Sequence, residues 1–128
     1  MLDSNLGMTI VFNGVIYNYV SLRNELIKKG YSFTSDGDTE VIIKAYHFYG
    51  SKCLDKIDGV FSFCIYNLKN KKLFIARDRF GIKPLYYIKN STQIIFSSTM
   101  KSLINKSSKL INNIGLNTNI STLLVNII

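Results

Sequence analysis

Histidine and cysteine are scarce in this 128-residue chain, which limits the catalytic chemistry available to its side chains. The single histidine, His47, lies within a helical pattern, where a partly buried or surface side chain is the simplest interpretation. Cys53 and Cys64 sit in apolar patterns and form neither a C-x-x-C motif nor a zinc-binding spacing. We therefore expect both cysteines to be small buried side chains in a reducing compartment, and we expect no metal site.

Long hydrophobic runs and targeting signals are also lacking. The most apolar tail segment, residues 120–128, is broken by polar residues and is far shorter than the ~20 residues of a membrane-spanning helix. The N-terminal MLDSNLGMT has neither a basic nor an apolar signal region. Walker, H-E-x-x-H, G-x-S-x-G and dinucleotide-binding motifs do not occur. These features predict a cytoplasmic location and no membrane partner.

Acidic residues are few, and the formal net charge is +8. The positive charge comes mainly from lysines spread along the chain, with one tight cluster at Lys69, Lys71 and Lys72. A nucleic-acid site concentrates charge on one face and usually includes arginine, so we expect no nucleic-acid partner. The 47% hydrophobic content is sufficient for the core of one domain.

Hydrophobic periodicity predicts an α+β chain, in which the period changes from helical to strand-like at Val60. Both faces of the 60–66 strand are largely apolar, so this strand is expected to be central and covered on both sides. No element is assigned after residue 104. The predicted helices are 19–29, 39–49 and 51–57, with a helical turn at 100–104, and the predicted strands are 9–12, 15–17, 31–34, 60–66, 73–76, 85–88 and 93–97, with turns at 67–72 and 89–91.

Three polar features could carry chemistry, and each also has a structural interpretation. From spacing alone, Asn13-Gly14 is most simply a tight turn between two β-like runs, and an oxyanion site is the alternative. Asp38, before an apolar helical pattern, is most simply an N-cap. The Arg77–Gly81 segment, RDRFG, is either a structural ion-pair corner or an anion-binding loop, and the corner is the safer interpretation.

Read together and in order, four segments resemble the glutaminase domain of asparagine synthetases, a class II glutamine amidotransferase. The resemblance covers residues 10–103 of what we take to be a partial domain over 1–128. It implies an N-terminal-nucleophile-hydrolase-like sandwich of antiparallel sheets with flanking helices, incomplete at its N-terminus. The segments are VFNGVIYNYVSLRNELIKKGYSF, SDGDTEVIIKAYHFYG, CLDKIDGVFSFCIYN and LFIARDRFGIKPLYY.

The resemblance also assigns roles within a glutamine site. The Asn-Gly pair of the family's oxyanion hole matches Asn13 and Gly14, and the acidic residue that holds the glutamine α-ammonium matches Asp38. On this basis both assignments displace the simpler turn and cap interpretations. Val15 stands where the family has an acidic residue beside the pair, which removes a charge that helps to bind the amino group.

Other parts of the family's machinery have no match in this sequence. The nucleophile is a cysteine at the mature N-terminus that uses its own α-amine as the base, whereas this chain starts Met1-Leu2-Asp3. The carboxylate-binding loop and the synthetase domain, which binds ATP and magnesium, are also unmatched. We therefore expect a truncated copy that has no cofactor of its own and is inactive alone, partnered by L-glutamine and by a missing N-terminal part or synthetase domain. The alternative is a non-catalytic glutamine-binding or protein-interaction module.

Overall fold

The computed structural model describes residues 1–89 and 93–111, which form two antiparallel sheets with flanking helices. This architecture confirms the predicted α+β class. A four-stranded sheet has the order β1-β2-β3-β4, and β5 pairs with β6 in a second sheet. The strands are β1 Leu2–Asp3, β2 Met8–Ile16, β3 Gly59–Asn67, β4 Lys72–Arg77, β5 Tyr86–Lys89 and β6 Ile94–Ser97. The helices are α1 Tyr19–Lys28, α2 Asp38–Tyr49 and α3 Met100–Ile111, with a 3₁₀ helix at Gly50–Asp55.

Strand β3 is the centre of the larger sheet, as its two apolar faces predict. It pairs along its whole length with β2 on one side, and from Ser62 to Asn67 with β4 on the other. Its five middle residues, 61–65, are all buried. A strand buried on both faces needs cover on both sides of the sheet.

One face of the sheet packs against α2 and forms the main core. Alternate residues of β2 and β3 point to this face because side chains alternate along a strand. Ile42 and Ile43 of α2 are fully buried against them. Burial of an aliphatic side chain of this size contributes about 2 kcal/mol, so this layer fixes α2 on the sheet. The sheet residues of this cluster are Met8, Ile10, Ile16, Phe61, Phe63, Ile65 and Ala76.

A second apolar cluster joins α1 to α2. Leu22 and Leu26 lie on the buried face of α1, at the helical spacing that predicted it. They belong to one cluster with Val41 and Ala45 of α2 and with Cys53 of the 3₁₀ helix. The start of α2 is thereby held by α1 as well as by the sheet. Within the part of the chain that is described, no helix has both the length and the apolarity to cross a membrane.

Several predicted elements require correction. The predicted 31–34 strand is wrong, because these residues form an irregular loop whose backbone groups bond to side chains of α2. The third helix is present as the 3₁₀ helix, and the helical turn at 100 continues to Ile111. Asn90 and Ser91 of the predicted 89–91 turn lie outside the described residues, as do residues 112–128.

The RDRFG segment is a structural corner, but it is not built on an Arg-Asp ion pair. Asp78 is buried and accepts hydrogen bonds from the backbone N–H groups of Phe61 (3.2 Å), Ile82 (2.9 Å) and Lys83 (3.0 Å). Burial raises the pKa of Asp78, but these backbone donors outweigh it and hold the pKa below its usual range. Arg77 instead donates to the carbonyl of Lys83 (2.6 Å) and to that of Gly81.

Candidate functional site

Asn13 and Gly14 lie inside β2 and do not form a turn. Asn13 pairs with Ser62 and Gly14 with Phe61, within a continuous register that runs from Met8 to Ile16. The turn interpretation from spacing is therefore wrong. The dipeptide stays extended, although its local preference is a bend, because a full ladder of hydrogen bonds to β3 holds it.

The outer edge of β2 is open beside this pair. The Ile10 N–H donates to a carbonyl of the N-terminal segment (2.8 Å), and the Ile16 N–H donates to Asp38 Oδ2 (3.1 Å). Successive peptide groups of a strand point to opposite edges, so the N–H groups of Phe12 and Gly14 point the same way as these two. Neither has a hydrogen-bond partner in residues 1–89 or 93–111. The Gly14 N–H is therefore presented to an added ligand or strand.

Gly14 is required by the close approach of β2 and β3. Its φ is +152°, a backbone conformation that residues other than glycine rarely adopt. A Cβ at this position would lie 2.2 Å from the carbonyl oxygen of Val60 and 2.7 Å from Cα of Phe61. Glycine thus allows the strand to keep its pairing while its N–H faces the open edge.

The side chains of Asn13 and Val15 lie on the exposed face of β2. Asn13 is exposed, and its amide makes no hydrogen bond within the described residues. Val15 is 50% exposed, so an apolar side chain lies at the surface beside the Asn13-Gly14 pair. An unpaired amide and an unpaired backbone N–H on adjacent residues are the two kinds of donor that can stabilise one oxyanion.

Asp38 is the first residue of α2 and links this helix to β2. The N-cap position is held by Gly37, and no side chain caps the helix, so the N-cap interpretation of Asp38 is wrong. Its carboxylate reaches across to the Ile16 N–H at the end of the open edge. Only Oδ2 makes this bond; Oδ1 accepts none from the residues that the structure describes. The predicted acidic group thus adjoins the strand that carries Asn13 and Gly14.

Neither cysteine is arranged as a nucleophile. Both thiols are free and buried, as predicted. Burial raises the pKa of Cys53 to about 12, with a further contribution from the charge of Asp55. Burial likewise raises the pKa of Cys64 to about 11. A thiol attacks as its thiolate, so both groups are inert at neutral pH, although Cys64 pairs with Val11 on the face that carries Asn13.

Comparison with known proteins shows the family of this chain. A family profile described as a glutamine amidotransferase domain matches residues 1–126. The chain belongs to this family. It is 50% identical over 95 residues to glutamine-hydrolyzing asparagine synthetase 1 of Bacillus subtilis (strain 168), which covers 74% of this chain and 15% of that protein. A putative glutamine-hydrolyzing asparagine synthetase 2 of Methanocaldococcus jannaschii is 40% identical over 95 residues, covering 74% and 18%.

Solved structures support the same fold for this amidotransferase domain. Glutamine phosphoribosylpyrophosphate amidotransferase from B. subtilis matches with a TM-score of 0.65 and 20% identity, over 81% of this chain and 25% of that one. At this identity the match shows the fold alone, which is that of the N-terminal-nucleophile hydrolases. The match spans only 15% of the length of the B. subtilis asparagine synthetase and 18% of that of the M. jannaschii protein.

Sequence reasoning missed two features of the site. It did not place Ser62 opposite Asn13, and it did not identify the Ile16 N–H as the partner of Asp38. Ser62 is buried, and its hydroxyl donates weakly to the carbonyl of Pro84 (3.4 Å), just before β5. The register of two strands separated by α1, α2 and the 3₁₀ helix leaves no local sequence signal. Nor does a contact between residues 22 apart, so neither feature could be deduced without the fold.

Proposed function

We propose that this chain forms the oxyanion-binding and ammonium-binding side of a glutamine-hydrolysing site, at which the side-chain amide of glutamine is cleaved to glutamate and ammonia. The observation that carries the proposal is the open edge of β2. There the Gly14 N–H and the free Asn13 amide are adjacent, and Asp38 lies at the end of the same edge. The membership of the chain in the glutamine amidotransferase domain family supports this choice of substrate.

The geometry supports distinct roles for these groups. Nucleophilic attack on the glutamine amide places negative charge on the former carbonyl oxygen. The Gly14 N–H and the Asn13 side-chain amide donate to that oxygen, and loss of one such donor costs about 3 kcal/mol of transition-state stabilisation. The Asp38 carboxylate accepts the α-ammonium group of glutamine through its second oxygen. Val15 adds no charge to this interaction.

The nucleophile does not come from either cysteine of this chain. Cys53 and Cys64 are buried thiols whose raised pKa values keep them protonated. We therefore propose that the 128-residue chain binds glutamine but releases no ammonia by itself. The same two buried thiols favour the second candidate function, a non-catalytic glutamine-binding or protein-interaction module.

The acceptor of the ammonia is part of the same proposal. The named relatives are asparagine synthetases, so we propose that ammonia released at such a site passes to ATP-activated aspartate. ATP and magnesium would bind to a synthetase domain, because the sequence of this chain has no Ser-Gly-Gly-x-Asp-Ser phosphate loop. A synthetase domain or a separate N-terminal part is the proposed protein partner. The cytoplasmic location stays a prediction.

Calorimetry with L-glutamine tests the proposed site. The wild-type chain should give saturable heat, and Asp38→Ala should weaken the affinity about tenfold or more because a charge-assisted hydrogen bond is lost. Asn13→Ala should also weaken it. Asp36→Ala is the matched control, because this side chain is fully exposed and lies two residues away. An absence of heat with millimolar glutamine, or an equal effect of Asp36→Ala, contradicts the proposed site.

An ammonia-release assay on the same samples tests the second claim. The wild-type chain should show no turnover above the buffer background. Turnover that survives substitution of Cys53 and Cys64 by serine would show that another group of this chain acts as the nucleophile, and would contradict the proposal of binding alone.

A further inference from the structure

A buried charged pair begins at Glu40, two residues beyond Asp38, and binds the loop that precedes α2. Glu40 and Lys44 are both buried on α2 and form an ion pair one helical turn apart. Burying two charges costs several kcal/mol per ion before their attraction is counted, and apolar replacements are often as stable. Stability alone therefore does not explain this buried pair.

Glu40 binds the backbone of the loop through both carboxylate oxygens. It accepts from the Thr34 N–H at 2.9 Å and 3.1 Å and from the Ser35 N–H at 2.7 Å. The hydroxyl of Ser35 adds a bond of 2.6 Å and that of Thr34 one of 3.3 Å. A glutamate in the first turn normally reaches back to cap its own helix, whereas here it reaches past the cap to the loop.

Lys44 extends the same network to two further segments. Its ammonium group donates to the carbonyl of Ser32 (2.5 Å) and lies 4.4 Å from the centre of the Phe33 ring. It also pairs with Asp3 of β1 at 3.9 Å. The pair therefore connects the loop before α2 to the N-terminal strand that lies against β2.

We infer that Glu40 and Lys44 are positioning residues for Asp38. The loop they hold ends directly at Asp38, whose carboxylate makes a single hydrogen bond within the described part of the chain, to the Ile16 N–H. Because the carboxylate has this one hydrogen bond, the orientation of Asp38 depends on where the first turn of α2 begins. That position is set by the five hydrogen bonds of Glu40 to residues 34 and 35 and by the bond of Lys44 to Ser32. The inference rests on the proposed role of Asp38.

Charge state supports this role at physiological pH. Burial raises the pKa of Glu40, but the hydrogen bonds from Lys44, Ser35 and Thr34 outweigh it and bring the pKa to about 2. The carboxylate is thus ionised and acts purely as an acceptor for the surrounding donors. A glutamine side chain at position 40 would offer one acceptor oxygen and turn an NH₂ group toward N–H donors.

Amide hydrogen exchange of the full chain, measured by NMR, tests the inference at the Ile16 N–H. The readout is the ratio of the exchange rate of Ile16 to that of Ile65, a central residue of β3, because global destabilisation would raise both rates together. Asp38→Ala gives the ratio expected when the bond is lost. Glu40→Gln should raise the ratio about tenfold toward that value.

Two further variants make the test decisive. Glu25→Gln is the matched control, because Glu25, like Glu40, binds a hydroxyl group and a lysine. Its hydroxyl partner is that of Tyr49, and it lies on α1, away from the loop. It should leave the ratio at the wild-type value. Ser35→Ala removes one donor to Glu40 and should raise the ratio in the same direction by less, which decides the matter if Glu40→Gln does not fold. A wild-type ratio in Ser35→Ala and in any folded Glu40→Gln, with a raised ratio in Asp38→Ala, overturns the inference.

Glutamine titration of the same variants separates this inference from the proposed function. If the wild-type chain binds glutamine, Glu40→Gln should weaken the affinity and Glu25→Gln should not. An equal loss in both variants would count against a positioning role. If the wild-type chain gives no heat, the proposed function fails, whereas the exchange ratio still decides whether Glu40 places Asp38.

Discussion

Gly14 and Val60 approach so closely that a Cβ on Gly14 would lie 2.2 Å from the Val60 carbonyl oxygen. The contact is between backbone groups, so no side-chain rotation can relieve it. Gly59, next to Val60, shows the reciprocal relationship, since its own Cβ would lie 2.3 Å from the carbonyl oxygen of Val15. The two strands therefore meet through two glycines where β2 presents the Gly14 N–H to its open edge.

Substitution Gly14→Ala should lower the free energy of unfolding by about 3 kcal/mol or more, because the new methyl group adds a backbone clash to an unfavourable φ. Gly30→Ala is the matched control. Gly30 also has a positive φ, of +91°, but among the described residues no atom beyond its chain neighbours lies within 4 Å of its Cβ position. It should cost only about 1 kcal/mol from backbone strain. Urea unfolding measures both, and equal losses would show that the close approach to Val60 contributes nothing.

The fold was predictable where local pattern and tertiary packing agree. The helical spacing of Leu22 and Leu26 correctly predicted the buried face of α1, and the two apolar faces of β3 correctly predicted its central place. In both elements the periodicity of the apolar residues indicates which faces are buried in the structure.

The site was less predictable because distant partners override local preference there. Asn13-Gly14 has the sequence of a turn, but β3 pairs with it and keeps it extended. Asp38 has the sequence of a cap, but its carboxylate bonds to Ile16. The 31–34 segment has strand-like residues, but Glu40 and Lys44 take its backbone hydrogen bonds. The resemblance to a family selected these residues without supplying this geometry.

The stability of the chain should fall in acid, in part through Glu40. The pKa of Glu40, about 2, lies below the ordinary glutamate value of about 4.3. The ionised carboxylate therefore stabilises the fold at pH values above about 4.3. This contribution is lost as the pH falls through the folded pKa, between about pH 5 and about pH 2. Asp78, whose pKa is also lowered, acts in the same direction.

Urea unfolding at a series of pH values checks this dependence. Glu40→Gln should be less stable than the wild type at pH 7, and the difference in unfolding free energy should narrow steadily toward about pH 2. Asp36→Asn serves as the control, since its fully exposed side chain should leave the profile parallel to the wild type. A constant difference between Glu40→Gln and wild type down to that pH would show that folding does not lower the pKa of Glu40.

The open edge of β2 should make the chain self-associate, because unpaired N–H and C=O groups beside exposed apolar side chains favour strand pairing between molecules. Val11 lies on this strand and is 64% exposed. Val11→Lys should shift the chain toward monomer, since a lysine on an edge strand opposes pairing. Sedimentation velocity over a concentration series measures the shift.

The charge-matched control is Phe80→Lys, because Phe80 is 86% exposed but lies in the corner after β4. Phe80→Lys should associate like the wild type; if it alone yields monomer, association proceeds through that corner and the edge of β2 is not the interface.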